Sequence, residues 1–153
     1  MTIWRAAPEE AADVARLLTA FRDWWGRDWP GDASFAASVD RLIRRDDTEF
    51  LLASSGEVGG APQGIVQLRY RWSVWTEAED CWLEDLYVLD SARGTGMGRA
   101  LVEASLARAR ERGCRRVELD VNTHNEAARG LYESLGFATG KSGGEDLLMS
   151  VRL

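Results

Sequence analysis

The sequence has 153 residues, a formal net charge of −6 and an apolar fraction of 45%, values that fit one compact globular domain. No apolar run approaches the roughly twenty residues of a membrane helix, and the N-terminus lacks the basic and apolar regions of a secretion signal. We therefore expect a cytoplasmic protein with no membrane partner. The two cysteines are too few for a disulfide framework and are expected to be free thiols. The acidic total, without a continuous basic stripe, argues against a nucleic-acid partner.

Charge is distributed unevenly along the chain. Six carboxylates and no cation lie between residues 76 and 90, whereas seven arginines accompany two glutamates between residues 93 and 116. This pattern indicates either one wall that binds a cation and another that binds an anion, or two solvated faces of opposite sign. Charge alone favours the solvated faces.

The first half of the chain predicts two helices among short strands. Residues 3–6 predict a strand, and Pro8 with the acids after it opens a helix. Residues 24–31, rich in Trp and Gly, predict a loop, after which Asp32 or Ser34 can cap a second helix. Residues 50–53 predict a buried strand. Residues 64–75 alternate in polarity and predict a strand whose apolar face, Trp72 included, packs in the core, with the alternate residues Gln67, Arg69, Arg71 and Ser73 on the other face.

The second half is more regular. Residues 81–89 predict a strand, residues 97–112 a helix that Gly113 ends in a left-handed conformation, and residues 116–121 another strand. Asn125 can cap a last helix over residues 126–135, which Gly136 stops. Residues 137–138 and 147–153 predict two closing strands. The order βααβββαβαββ indicates an α/β fold with a mixed sheet and helices on both faces.

The strongest local signal is the segment RGTGMGR at residues 93–99, between a strand and a helix. Backbone N–H groups at a helix start lack partners, and glycines let the main chain close around an anion. The segment has neither the Gly-Lys-Ser/Thr of a Walker A loop nor the spacing of the dinucleotide fingerprint. By itself it predicts either a phosphate site or a structural turn.

Two segments together resemble the GNAT superfamily of acetyltransferases. The first is Arg93-x-x-Gly96-x-Gly98, which follows a predicted strand and resembles the acetyl-CoA signature. The second is VNTHNEAARGLYESLGF at residues 121–137, which resembles the second motif of that superfamily. The resemblance is close over residues 82–137, whereas the first eighty residues match only in element order. It implies a single domain with an acceptor-side half at residues 1–80, an acetyl-CoA-binding core at 81–137 and closing strands at 138–153. It also implies a mostly antiparallel sheet that is splayed between the fourth and fifth strands.

The resemblance also implies roles for individual residues. The pantetheine arm would lie along the backbone of the strand at residues 86–88, and the pyrophosphate would bind the amides of the glycine-rich loop. Asn125 would contact the cofactor near the start of its helix, and Tyr132 would donate a proton to the leaving thiolate. The residues assigned to acetyl-CoA are Leu86, Tyr87, Val88, Arg93, Gly94, Thr95, Gly96, Met97, Gly98, Arg99, Asn125 and Tyr132.

The acceptor amine arrives protonated and must lose a proton before it attacks. Glu84, two residues before Leu86, is the first candidate for the general base, and Asp120 is the second. Asp85 should point to the face opposite Glu84 unless a bulge intervenes. We expect a direct attack in a ternary complex, without a metal. A thiol mechanism that pairs His124 with a cysteine is the disfavoured alternative.

Tryptophans and carboxylates in the first half indicate the acceptor. The candidate substrate-binding residues are Trp25, Asp28, Trp29, Trp75 and Glu84. Aromatic faces beside carboxylates suit a polycationic amine such as an aminoglycoside or a polyamine. The alternatives are a protein N-terminus or lysine side chain, and a non-catalytic acetyl-CoA sensor. Many members of the superfamily pair as dimers, so the resemblance also implies a homodimer.

Overall fold

The computed structural model describes residues 1–57, 60–140 and 148–152. The chain forms two compact units, residues 1–118 and residues 119–153. The elements of the first unit are β1 Thr2–Arg5, α1 Ala11–Trp24, α2 Asp32–Ile43, β2 Thr48–Ser54, β3 Gly64–Ser73, β4 Ala78–Val88, α3 Met97–Glu111 and β5 Arg116–Glu118. The second unit contains α4 Glu126–Ser134. The division into an acceptor-side half, a cofactor core and closing strands stays a prediction.

The first unit is built on one five-stranded sheet in the order β1-β2-β3-β4-β5. The first four strands pair antiparallel, and β5 pairs with β4 in parallel. This arrangement confirms the predicted mixed, mostly antiparallel sheet. No helix in the described part of the chain is long and apolar enough to cross a membrane.

The helices of this unit cover both faces of the sheet. One face packs Phe50, Leu52 and Ile65 against the apolar sides of α1 and α2 in a single buried cluster. On the other face, Gly64 lies so close to α3 that an added Cβ would be 2.9 Å from the Met97 sulfur. The prediction of helices on both faces is therefore confirmed.

A buried ion cluster joins α3 to the strands below it. Glu49 on β2 is 2% exposed and accepts two hydrogen bonds from the Arg108 guanidinium, at 2.7 and 2.8 Å. The Tyr70 hydroxyl donates to the same carboxylate at 3.3 Å. Arg112 lies over the Tyr70 ring at 4.0 Å and donates to Glu79 at 2.6 Å. These partners offset the desolvation of the buried charges.

The prediction that Trp72 packs in the core is wrong, because its side chain is 68% exposed. The pairing of β2 with β3 ends at Thr48 and Arg69, so β3 and β4 continue past their neighbour as a two-stranded hairpin. The alternation of polarity holds along the strand, but both faces of β3 are buried from Gly64 to Leu68, Gln67 included, and residues near its end are exposed.

Two further predictions about element ends are also corrected. Gly31, in an extended conformation, is the cap residue of α2, and Asp32 is its first helical residue, whose carboxylate accepts from Arg22 at 2.9 Å. No strand is formed at residues 137–140 or 148–152, where the closing strands were expected. The rest of those expected strands, at residue 147 and residue 153, lies outside the described residues.

Candidate functional site

The sheet opens along one edge of β4. Residues Asp80, Cys81 and Trp82 pair with β5, and the last pair joins Trp82 to Glu118. β4 then continues to Val88, and within residues 1–118 no strand pairs with that edge beyond Trp82. This opening is the splay expected between the fourth and fifth strands. It leaves backbone N–H and C=O groups of β4 available to a ligand.

A β-bulge in β4 sets the direction of Glu84. Gln67 pairs with Asp85 and Leu68 with Leu83, so Glu84 is the extra residue that faces no partner on β3. Its side chain is 41% exposed, and its carboxylate lies 3.5 Å from the Arg69 guanidinium. The simple alternation that would separate Glu84 from Asp85 is thus interrupted, as the prediction allowed.

The strand residues assigned to the pantetheine arm lie at the opening. Leu86 and Val88 are half-buried, whereas Tyr87 is buried and its ring stacks on Phe21 of α1 at 5.2 Å. Tyr87 therefore packs the C-terminal part of α1 onto β4, and the backbone of β4 lies along the open edge of the sheet.

The glycine-rich loop before α3 is shaped for an anion. Gly94 and Gly96 have φ of 76° and 86°, and a Cβ at either position would meet no atom within 4 Å. The loop therefore needs glycine for its left-handed backbone and not for lack of space. The first described hydrogen bond of α3 runs from the Ala100 N–H to the Gly96 carbonyl at 3.0 Å, so the amides before it point out of the helix start. No acidic residue lies in the first turn.

The arginines of this loop are held by neighbouring side chains. The Arg93 guanidinium donates to the Val88 carbonyl at 3.1 Å, pairs with Asp90 at 2.8 Å and lies over the Trp24 ring at 5.0 Å. Arg99 pairs with Glu103 on its own helix at 3.7 Å. The side chain of Arg93 thus connects the loop to the end of α1, and the backbone amides at the start of α3 are the candidate anion-binding groups.

The loop between α1 and α2 exposes several tryptophans. Trp25 is 47% and Trp29 79% exposed, and Asp28 between them is exposed and makes no ion pair within the described ranges. Arg22 holds the loop by donating to the Pro30 carbonyl at 2.6 Å. Trp75, in the turn between β3 and β4, is 91% exposed. These side chains offer aromatic faces to a ligand.

The second unit contains the other predicted catalytic residues. Asn125 caps α4, as predicted, by accepting from the Ala128 N–H at 3.2 Å. Tyr132 is 8% exposed, and its ring lies 5.7 Å from that of Phe137. Burial, together with the charge of Asp120, raises the pKa of Tyr132 to about 12. Asp120 itself is exposed. A phenol in this state keeps its proton at neutral pH and can donate it.

The cysteines are not prepared for nucleophilic chemistry. Both are free thiols, and Cys81 is buried. Burial raises the pKa of Cys81 to about 12 and also raises the pKa of Cys114. A reactive cysteine needs a lowered pKa, so the thiol mechanism loses support.

The sequence interpretation did not assign arginine partners to individual carboxylates of the acidic run. Four of its six carboxylates are paired, in the ion pairs Glu79–Arg112, Asp80–Arg116, Glu84–Arg69 and Asp90–Arg93. The alternation of β3 was the available signal, because it predicted one polar face for Arg69 and Arg71. The acidic run is therefore largely neutralised inside the fold.

Known proteins resemble this chain in sequence. The profile of the acetyltransferase (GNAT) family matches residues 15–137. An uncharacterised N-acetyltransferase of Methanocaldococcus jannaschii is 35% identical over 97 residues, which cover 63% of this chain and 42% of that protein. The aminoglycoside N(6')-acetyltransferase type 1 of Stenotrophomonas maltophilia is 31% identical over 139 residues, which cover 89% of this chain and 85% of that protein.

The fold is shared with a solved structure as well. A protein of Arthrobacter sp. FB24, whose acetyltransferase activity is inferred, superposes with a TM-score of 0.85 at 33% identity. The superposition covers 100% of this chain and 96% of that one.

Proposed function

The chain belongs to the acetyltransferase (GNAT) family, and from this premise we propose that it transfers an acetyl group from acetyl-CoA to a primary amine of a small molecule. The observation that carries the proposal is the glycine-rich start of α3, which follows directly on a strand whose edge is open from residue 83 to Val88. The loop suits a pyrophosphate, and the edge suits the amide-bearing arm of the cofactor.

In the proposed complex, the amides of residues 94–99 hold the pyrophosphate, and the backbone at residues 86–88 holds the pantetheine arm. The positive end of α3 favours the negative charge, and no acid in its first turn opposes it. Asn125 contacts the cofactor near the start of α4. No metal takes part.

Glu84 is the proposed general base, with Asp120 as the second candidate. The Glu84 carboxylate, directly or through a water molecule, takes the proton from the acceptor ammonium. The amine nitrogen then bonds to the acetyl carbonyl carbon, and the carbon–sulfur bond breaks. The nitrogen releases its second proton to water, which also restores the Tyr132 phenol once the thiolate has taken its proton. The bulge favours Glu84, since it leaves this side chain without a cross-strand neighbour on β3. The raised thiol pKa values of Cys81 and Cys114 support direct attack without a covalent enzyme intermediate.

Tyr132 is the proposed acid that protonates the leaving thiolate. Its pKa of about 12 keeps the phenol protonated at neutral pH. In bulk water a thiol has a pKa near 8.5, so transfer from the phenol needs a site from which water is excluded. The low exposure of Tyr132 is consistent with that condition.

A small polycationic amine is the proposed acceptor class. Asp28 and the exposed rings of Trp25 and Trp29 support it, and so does the aminoglycoside-acetylating relative. Most carboxylates of the acidic run are paired with arginine, so this run offers less negative charge to a cationic acceptor. The alternative acceptors are a protein N-terminus or a lysine side chain. An acetyl-CoA sensor without activity is the remaining alternative, and it would need neither Glu84 nor Tyr132.

Thiol release from acetyl-CoA across a panel of aminoglycosides, polyamines, amino acids and N-terminal peptides tests the proposal. We expect release with at least one small amine and none without an acceptor. Glu84→Gln should lower kcat, with the loss smaller at high pH, where more of the amine is already deprotonated. If acetyl-CoA binds in calorimetry but no amine in the panel drives release, the sensor replaces the enzyme.

A further inference from the structure

A group of cationic and aromatic side chains lies on the same sheet face as Ile65, which packs against α1 and α2, at the end of β3 where Arg71 is exposed. Arg69 and Arg71 are two residues apart on β3 and therefore point to the same face. Trp82 is the cross-strand neighbour of Arg69 on β4. The Arg71 guanidinium lies 5.9 Å from the Trp82 ring. We call these three residues the arginine strip.

The arginine strip borders the opening of the sheet. Trp82 is the last β4 residue that pairs with β5. Glu84, the proposed base, follows it and lies 3.5 Å from Arg69. An acceptor whose amine reaches Glu84 would therefore have the rest of its structure beside Arg69 and Arg71.

The arginines of this strip have N–H groups that are not all bonded to protein acceptors. Arg71 is 65% exposed and donates to Glu118 at 3.2 Å, which uses only part of its five N–H groups. The Nε of Arg69 is buried and has no hydrogen-bond partner among the described residues. Because this atom is buried, a ligand carboxylate would reach instead the terminal N–H groups of Arg69, whose side chain is 36% exposed, and those of Arg71.

We propose that the acceptor is zwitterionic, a small primary amine that also carries a carboxylate, and that Arg69 and Arg71 bind this carboxylate. The inference rests on the proposed function and deepens it by naming a second recognition group. Guanidinium groups match carboxylate oxygens in charge and geometry. A diamino acid satisfies both sides, because an ammonium group meets Glu84 while its carboxylate meets the arginine strip.

Pairs of amines that differ by one carboxylate test the proposal. The probes are lysine and cadaverine, ornithine and putrescine, and alanine and ethylamine, each assayed for thiol release from acetyl-CoA. In at least one pair we expect the wild-type protein to prefer the zwitterion by about tenfold or more in kcat/KM, the effect of one charge-assisted hydrogen bond.

Arg71→Gln separates recognition from folding. It should raise KM for the preferred zwitterion about tenfold to a hundredfold with kcat nearly unchanged, and should leave the matched amine without a carboxylate unaffected. Arg71→Lys should restore part of the affinity, because it keeps the positive charge but loses the planar guanidinium group that can donate two hydrogen bonds to one carboxylate. Arg110→Gln, at an exposed arginine of α3, is the control and should change neither KM.

The outcomes distinguish failure of this inference from failure of the proposed function on which it rests. Turnover of amines without preference for a carboxylate, or an equal effect of Arg71→Gln on both members of a pair, keeps the acetyltransferase and overturns the zwitterion. Absence of release with every amine of the wider panel overturns the proposed function, and the zwitterion falls with it.

Discussion

Tyr132 carries the proton in the proposed reaction, and its surroundings keep the phenol protonated. Because burial and the charge of Asp120 raise its pKa to about 12, the residue stays protonated over the working range of an amine acetyltransferase. We expect Tyr132→Phe to lower kcat by about a hundredfold, the usual contribution of a positioned acid, with acetyl-CoA affinity little changed. Steady-state kinetics and calorimetry with acetyl-CoA measure the two effects.

A second buried tyrosine provides the matched control. Tyr70 belongs to the ion cluster on the α3 face, where its hydroxyl donates to Glu49. Tyr70→Phe removes one hydrogen bond and should reduce the free energy of unfolding by about 1 kcal/mol without changing kcat. Near-normal turnover of Tyr132→Phe would remove that residue as the acid, whatever Tyr70→Phe does.

At the scale of the element, the start of α3 depends on the left-handed conformation of Gly96. An alanine there meets no neighbouring atom, so the expected cost is that of its φ alone, about 1–2 kcal/mol of stability. The backbone relieves this strain by rotating, which turns the helix-start amides away from a bound pyrophosphate. We therefore expect Gly96→Ala to weaken acetyl-CoA binding at least about tenfold, measured by calorimetry.

Gly113, just beyond the end of α3, provides a control that separates the effect of backbone strain on stability from its effect on acetyl-CoA binding. Its φ of 83° is close to that of Gly96, and a Cβ there also meets no neighbour. Gly113→Ala should therefore cost a similar amount of stability, seen as a lower denaturant midpoint, and leave acetyl-CoA affinity intact. Equal loss of affinity in both variants would mean that strain in α3, and not the direction of its first amides, controls binding.

Local signals predicted most of these elements from the sequence. Asn125 caps α4, and Gly113 and Gly136 have the left-handed backbone that their positions after a helix predicted. These features depend on a few neighbouring residues, so a single sequence contains them. The residues that were mispredicted or missed depend on distant partners. Trp72 is exposed because β2 ends early, and Glu84 faces no partner because β4 has one residue more than β3 at that point.

The candidate site shows the same division. The glycine-rich loop could be identified from the sequence because Gly94, Gly96 and Gly98 lie close together along the chain, and the resemblance supplied Tyr132; the binding of an anion there stays a prediction. The arginine strip could not, because the register of three strands brings Arg69, Arg71 and Trp82 to one face beside the opening. The acidic run indicated either a cation-binding wall or a solvated face, and the fold pairs most of its carboxylates with arginines from β3, the end of α3, β5 and the glycine-rich loop.

At the scale of the whole first unit, the buried ion cluster makes stability depend on pH. Burial alone would raise the pKa of Glu49, but hydrogen bonds from Arg108 and the charge of Arg5 outweigh it, so the pKa is lowered. Hydrogen bonds from Arg112 likewise lower the pKa of Glu79. Carboxyl groups with a lowered pKa in the folded state stabilise it above their ordinary pKa near 4.5. The contribution is lost as the pH falls through the lowered values.

We therefore expect the free energy of unfolding, measured in urea, to be nearly constant from about pH 8 to about pH 5 and to fall below about pH 4.5. Glu49→Gln should cost about 3 kcal/mol at pH 7, because Arg108 keeps its charge and loses its buried partner, with only the exposed Glu111 left to pair with it. The variant should also flatten the decline in acid, since one of the responsible carboxylates is gone. Asp40→Asn breaks an exposed pair with Arg44 and should cost no more than about 0.5 kcal/mol. If Glu49→Gln lowers stability equally at every pH, the cluster acts through packing and the acid sensitivity belongs to other carboxylates.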